Sequence, residues 1–85
     1  MSREEIMVAV KRKAAATIPN LEPDSIDPSR SLKHYGATSL DLVEIVSGLM
    51  RELRAKVPRA ELAKVDTIGG LVDLLHKTLA EQGAK

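Results

Sequence analysis

The chain has 85 residues, no cysteine, two histidines, and thirteen basic against twelve acidic side chains, for a formal charge of +1. That length allows a single domain, residues 1–85, burying roughly 60 to 65% of its unfolded surface, and the missing thiols exclude a disulfide frame or thiolate metal cage. The balanced charge supplies no global field for nucleic acid or anionic lipid, and one tyrosine as the only aromatic residue removes the stacking platforms that single strands need.

No apolar run reaches the roughly 18 residues of a membrane span, and the opening MSREEIM lacks the hydrophobic segment of a secretory signal. The expectation is a cytoplasmic protein with an aliphatic core, without membrane or nucleic-acid partners. Two well-separated histidines make a poor metal site, so no metal is expected.

Ser2 with Glu5 three places on forms a capping-box pattern, followed by Ile6, Met7, Val10, Ala14 and Ile18 at helical steps. The spacing predicts a helix from Arg3 to Thr17. Prolines at 19, 23 and 28, with clustered Ser, Asp and Asn, prevent a long helix in IPNLEPDSIDPSRSLKHYGAT. This long first loop carries Leu21, Ile26, Leu32 and Tyr35 as apolar anchors, so it is expected to be ordered, with a short turn of helix after Asp27-Pro28.

A second helix follows Thr38. At 100° per residue, Leu42, Val43, Ile45, Val46, Leu49, Met50 and Leu53 fall within an arc of about 160°, the stripe of a central core helix. Pro58 then breaks the chain, and one or two helical turns use Ala60, Leu62 and Val65 as small anchors. Thr67 opens the last helix, whose Ile68, Leu71, Val72, Leu75 and Leu79 share one face until Gly83, with His76 at its edge as a partly buried packing residue. The fold class is therefore all-α, with three main helices, one short helix and a long first loop.

The segment GATSLDLVE, residues 36 to 44, concentrates the chemistry. Gly36 permits a sharp entry, Thr38 is a good N-cap, and Asp41 completes a capping box, which sets Ser39 in the first turn. Its hydroxyl lies beside unpaired backbone N–H groups and the positive end of the helix dipole, where an attached anion gains roughly 0.3 to 1 kcal/mol. Leu40 falls on the water side beside Glu44, Ser47 and Arg51, an apolar residue in need of a partner.

Those nine residues resemble the attachment-site signature of acyl and peptidyl carrier proteins: glycine, two residues, serine, leucine, acid, two hydrophobics, acid. DPSRSL before the site, VPRAEL after the second helix and TIGGLVDLL in the last helix extend the resemblance over nearly the whole chain. It implies an acyl-carrier-like bundle in which Ser39 accepts 4'-phosphopantetheine, whose thiol carries the acyl group, so the chain is a carrier and no enzyme. It further implies that Leu40, Asp41 and Glu44 help partner enzymes recognise the second helix, an apolar contact rimmed by charge. The partners would be a phosphopantetheinyl transferase, then acyltransferase, ketosynthase or HMG-CoA-synthase-like enzymes, served by a monomer.

Thr38 stands where family members commonly have aspartate, and the second helix turns basic after its middle with Arg51, Arg54 and Lys56. Thr38 together with VPRAELAKVDTIGGLVDLL resembles free-standing carriers of polyketide clusters, especially acetyl donors of β-branching cassettes, and the basic run implies partners other than those of ordinary fatty acid synthesis; a general polyketide or fatty acyl carrier is the other reading the resemblance leaves open.

Other readings start from the same residues. His34, Ser39 and Asp41 suggest a hydrolase, but one loop and a first turn supply neither a shaped pocket nor the nucleophile elbow with its second glycine. His34 is instead a loop residue near the prosthetic group. A cofactor-free helical module for protein or nucleic acid draws on Arg51, Arg54, Lys56 and Arg59, a run more often a solvated surface. Gly48 reads as tolerated on the outward face, at a cost of about 1 kcal/mol relative to alanine. Gly69 and Gly70 read as close helix packing rather than a phosphate loop, having no lysine-serine or strand context.

Overall fold

Ser2 starts the first helix as its spacing requires: the Glu5 N–H donates to Ser2 Oγ at 3.2 Å and the Ser2 N–H donates to Glu5 Oε1 at 2.8 Å. In the computed structural model, which describes residues 2–83, α1 (Arg3–Thr17) is followed by α2 (Ser39–Leu53), α3 (Arg59–Leu62) and α4 (Ile68–Gly83). No strand occurs among the described residues. The all-α architecture with three main helices and one short one is as the periodicity predicts.

Helix α1 stops at Ile18, which is extended ahead of Pro19, because the ring of a proline disfavours helical backbone in the residue before it. Ile6, Ala9, Val10, Ala14 and Ile18 are buried along its inner face. Both α2 and α4 pack on this face. Ile45 and Leu49 of α2 and Val72 and Leu75 of α4 are wholly excluded from solvent beside Ile6 and Val10. Burying such side chains stabilises by about 1.5 to 3 kcal/mol each.

The loop from 18 to 38 is ordered, pinned by buried Ile26, Leu32 and Ala37 and by Leu21 and Tyr35 packed against the core. Its local structure differs from expectation after Asp27-Pro28, where the chain makes a turn and no helix. The reason is the Asp27 side chain: Oδ1 accepts the Ser29 N–H at 2.9 Å and the Ser29 hydroxyl at 2.8 Å, while the Arg30 N–H donates to the Asp27 carbonyl. Single 3-10 turns form instead at Pro23–Ser25 and Lys33–Tyr35. The Tyr35 hydroxyl accepts the Asp27 N–H at 2.6 Å and ties the two halves of the loop together.

Thr67 opens α4 as predicted, its hydroxyl accepting the Gly70 N–H at 3.0 Å. Two further N–H groups there find partners in the loop: Ile68 donates to the Arg30 carbonyl at 2.9 Å and Gly69 to the Pro28 carbonyl at 2.8 Å. A Cβ on Gly69 would sit 3.2 Å from that Pro28 oxygen, so this glycine serves close approach, to the first loop rather than to the neighbouring helix expected.

Three side chains lie elsewhere than expected. His76 is exposed, because the buried arc of α4 runs from Thr78 to Val72 and leaves position 76 beyond its edge. Ala60 is also exposed; Leu62 and Val65 are the residues of that region that reach the core. Gly48 faces α1 rather than open solvent, and the end of the Lys13 side chain occupies the space a Cβ would take.

Candidate functional site: a serine at the open end of α2

The approach to α2 is set by Gly36, whose φ of 98° lies in the left-handed region that glycine adopts without strain. Buried Ala37 then anchors the turn, and the Ala37 N–H donates to the Leu32 carbonyl. Thr38 is extended and caps the helix: the Asp41 N–H donates to Thr38 Oγ1 at 3.1 Å and the Thr38 N–H to Asp41 Oδ2 at 3.0 Å.

The box uses Thr38 and Asp41 and leaves the Ser39 hydroxyl out. Ser39 is exposed as the first residue of a 15-residue helix. The N–H groups of Ser39 and Leu40 have no carbonyl four residues back within the helix to bond, so they remain directed at the space the hydroxyl faces. The contrast with α4 is instructive, since the loop carbonyls of Pro28 and Arg30 fill the start of that helix. An open helix start and a free primary hydroxyl coincide at Ser39.

Leu40 is 81% exposed and Val43 63% exposed, side by side on the outer surface of α2. Glu44 is exposed next to them, and Asp41 is half-buried because its carboxylate folds back on the cap. The wheel placed Val43 in the core stripe, and the structure corrects this. The buried stripe centres on Ile45, Leu49 and Leu53, whereas Val43 lies on the flank that α3, four residues long, is too short to cover. The signal available in the sequence was its position four residues after Ser39, which shares the face of the serine.

That uncovered flank borders a cleft of about 840 Å³ lined by Leu42, Val46, Met50, Leu62, Val65 and Leu71 among others. A hydrolytic triad does not assemble. Asp41 spends its carboxylate on the Thr38 N–H, and the His34 ring stands edge-on to Tyr35 with centroids 5.0 Å apart.

The described residues thus form a small helical bundle with a solvent-facing serine at the open start of its second long helix. Residues 12–75 match the family model described as a phosphopantetheine attachment site, and the chain belongs to this family, that of the acyl carrier proteins. It is 35% identical to the acyl carrier protein of Thermotoga maritima over 92% of this chain and 96% of that one. It is 30% identical to the polyketide biosynthesis acyl-carrier-protein AcpK of Bacillus subtilis, over 89% of this chain and 93% of the relative. Its fold superposes with a TM-score of 0.77 and 36% identity on a chain in the crystal structure of the curacin biosynthetic pathway HMG synthase in complex with acetyl donor-ACP, covering 87% of this chain and 95% of that one.

The protein is thus an acyl carrier and not an enzyme, and its cofactor is 4'-phosphopantetheine. The exposed hydroxyl and the free N–H groups beside it fit a phosphodiester. Membership in the family also removes the cofactor-free binding module as a reading.

Proposed function

We propose that Ser39 is the attachment point of the phosphopantetheine arm, and that the protein presents acyl groups to the enzymes of a polyketide pathway. The observation that carries this reading is the exposed Ser39 hydroxyl at the open end of α2, outside the Thr38–Asp41 box. Ser39 Oγ forms a new bond to the phosphorus nearer the pantetheine of coenzyme A as the pyrophosphate link breaks. The adenosine bisphosphate leaves, and the hydroxyl proton passes to a base of the transferase. When attached, the arm supplies a thiol on which the acyl group travels as a thioester.

Around that point Leu40, Asp41 and Glu44 form the partner surface, an apolar contact rimmed by negative charge and suited to quick, weak docking. Val43 extends its apolar part. The likeness to AcpK and to a chain in the complex of HMG synthase with acetyl donor-ACP supports the finer reading: a carrier that donates acetyl to an HMG-CoA-synthase-like enzyme in β-branching. On the same reading the carrier works as a monomer in the cytoplasm, charged by a phosphopantetheinyl transferase and served by acyltransferase or ketosynthase partners.

Incubation with coenzyme A and a broad-specificity phosphopantetheinyl transferase tests the attachment. The intact mass rises by one phosphopantetheine, and Ser39→Ala shows no gain. A gain on Ser39→Ala equal to that of the wild type would place the arm elsewhere. Loading acetyl on the arm and following its passage to an HMG synthase, beside a ketosynthase as comparison, tests the donor role.

A further inference from the structure

The outer surface of α2 changes character along its length. Leu40, Ser47 and Arg51 fall within about 40° of one another on the helix. The first end carries Leu40, Val43 and Glu44, and the last end carries Arg51, with exposed Arg54, Lys56 and Arg59 following in the loop and first turn of α3. None of these four cations takes part in the ion pairs found among the described residues, Arg3 with Asp73 and Arg12 with Glu52. The second pair engages Glu52, the acid next to Arg51 in the sequence, with α1.

The backbone beneath this group is held firmly. Gln82 of α4 accepts the Lys56 N–H at 2.7 Å and donates to the Arg54 carbonyl at 2.9 Å, while the Ala55 N–H donates to the Met50 carbonyl at 3.0 Å. Ala55 and Val57 are buried between the exposed cations. Arg54 itself has φ 56° and ψ 37°, the left-handed cap conformation that glycine takes more cheaply. The turn gives no reason for an arginine there, and a residue held in a costly conformation by rigid surroundings points to a role outside the turn.

We propose that Arg51, Arg54, Lys56 and Arg59 form a second docking element, fitted to partner enzymes with an acidic patch about 16 Å from the contact made by Leu40. The proposal rests on the carrier reading and adds the partner's charge to it. An enzyme that receives the arm at Ser39 meets both ends of α2 together, so the basic end selects among enzymes and fixes their orientation. A protein surface is favoured over nucleic acid because Glu44 and the apolar pair lie on the same face, and the net charge of the chain is only +1.

The test uses the full chain, ¹⁵N-labelled and with its arm attached, titrated with a hexaglutamate peptide. Amide shifts are expected at residues 51–59 and disappear near ~0.3 M salt, where screening is strong. Arg54→Gly melts at or above the wild-type temperature yet binds the peptide about threefold more weakly, and Arg51→Glu combined with it weakens binding about tenfold. Shifts that are absent, or equally large at Lys11 and Lys77, overturn the proposal, as does tighter binding of duplex DNA or anionic vesicles than of the peptide. Mass gain with the transferase, measured on the wild-type chain, reports the carrier reading separately: a failed attachment removes that reading, whereas normal attachment with unlocalised shifts removes only the basic docking element.

Discussion

Thr38 and Asp41 hold each other's backbone, each side-chain oxygen accepting the other's N–H at 3.1 and 3.0 Å, with Ser39 and Leu40 between them. The threonine lacks the charge that family members commonly have before the serine, and the carboxylate of Asp41 brings a negative charge to the helix start from three residues further on. Loss of the cap in Thr38→Ala is expected to cost about 1 kcal/mol, read as a lower urea midpoint at unchanged slope. Thr38→Asp should keep both the midpoint and the arm attachment, since aspartate caps as well as threonine.

Leu40 and Val43 are apolar, exposed and outside the core. Leu40→Asp and Val43→Asp should therefore leave helical circular dichroism intact and shift stability by no more than about 0.5 kcal/mol. Transfer of the arm or of acyl groups should slow through a raised KM, by about tenfold for the more exposed Leu40. Unfolding of Leu40→Asp would assign that side chain to the core instead.

Gly48 lies in the interior of α2 opposite the flexible end of Lys13. An alanine there gains about 0.5 to 1 kcal/mol of helix propensity, and the lysine tip can swing aside. Gly48→Ala is expected to raise the melting temperature by about 4 °C. A fall would mean that Lys13 cannot move and that its packing over the glycine matters more than propensity.

Asp27 titrates below its ordinary value of 3.8, because the Ser29 N–H and then the Ser29 hydroxyl donate to its carboxylate, with Arg30 and His34 adding smaller attraction. A native pKa below the unfolded one gives stability that is complete above the ordinary value and is lost as pH falls through the lowered one. The loop turn should accordingly loosen only in strong acid. Carboxyl ¹³C titration of Asp27 checks this, and Asp27→Asn should remove the effect; a midpoint at or above 3.8 would contradict it.

The helices were legible in the sequence because capping boxes and apolar spacing are local. Arg3–Thr17 matches its predicted bounds, and Ser39 begins α2 directly after the Thr38 cap. What a helical wheel could not show was which neighbour covers each flank. Val43 stays open because α3 is short, and Gly48 is covered because Lys13 crosses it. The turn at Asp27 and the clamp from Gln82 depend on single side-chain hydrogen bonds, the latter between positions 26 and 28 residues apart, and no periodic pattern announces them. The motif around Ser39 and the outward place of Leu40 were readable in the sequence, but the exposure of Val43 beside them emerged only from the packing.

The placement of Tyr35 has a practical use. It is the sole aromatic side chain, bonded to Asp27 across the loop and standing four positions ahead of Ser39. Near-ultraviolet emission from the unlabelled protein therefore originates at one spot in the loop that leads to Ser39, the proposed anchorage of the arm. Any enzyme that pries this loop from the bundle while unloading the carrier will write the event into that signal, with no dye attached.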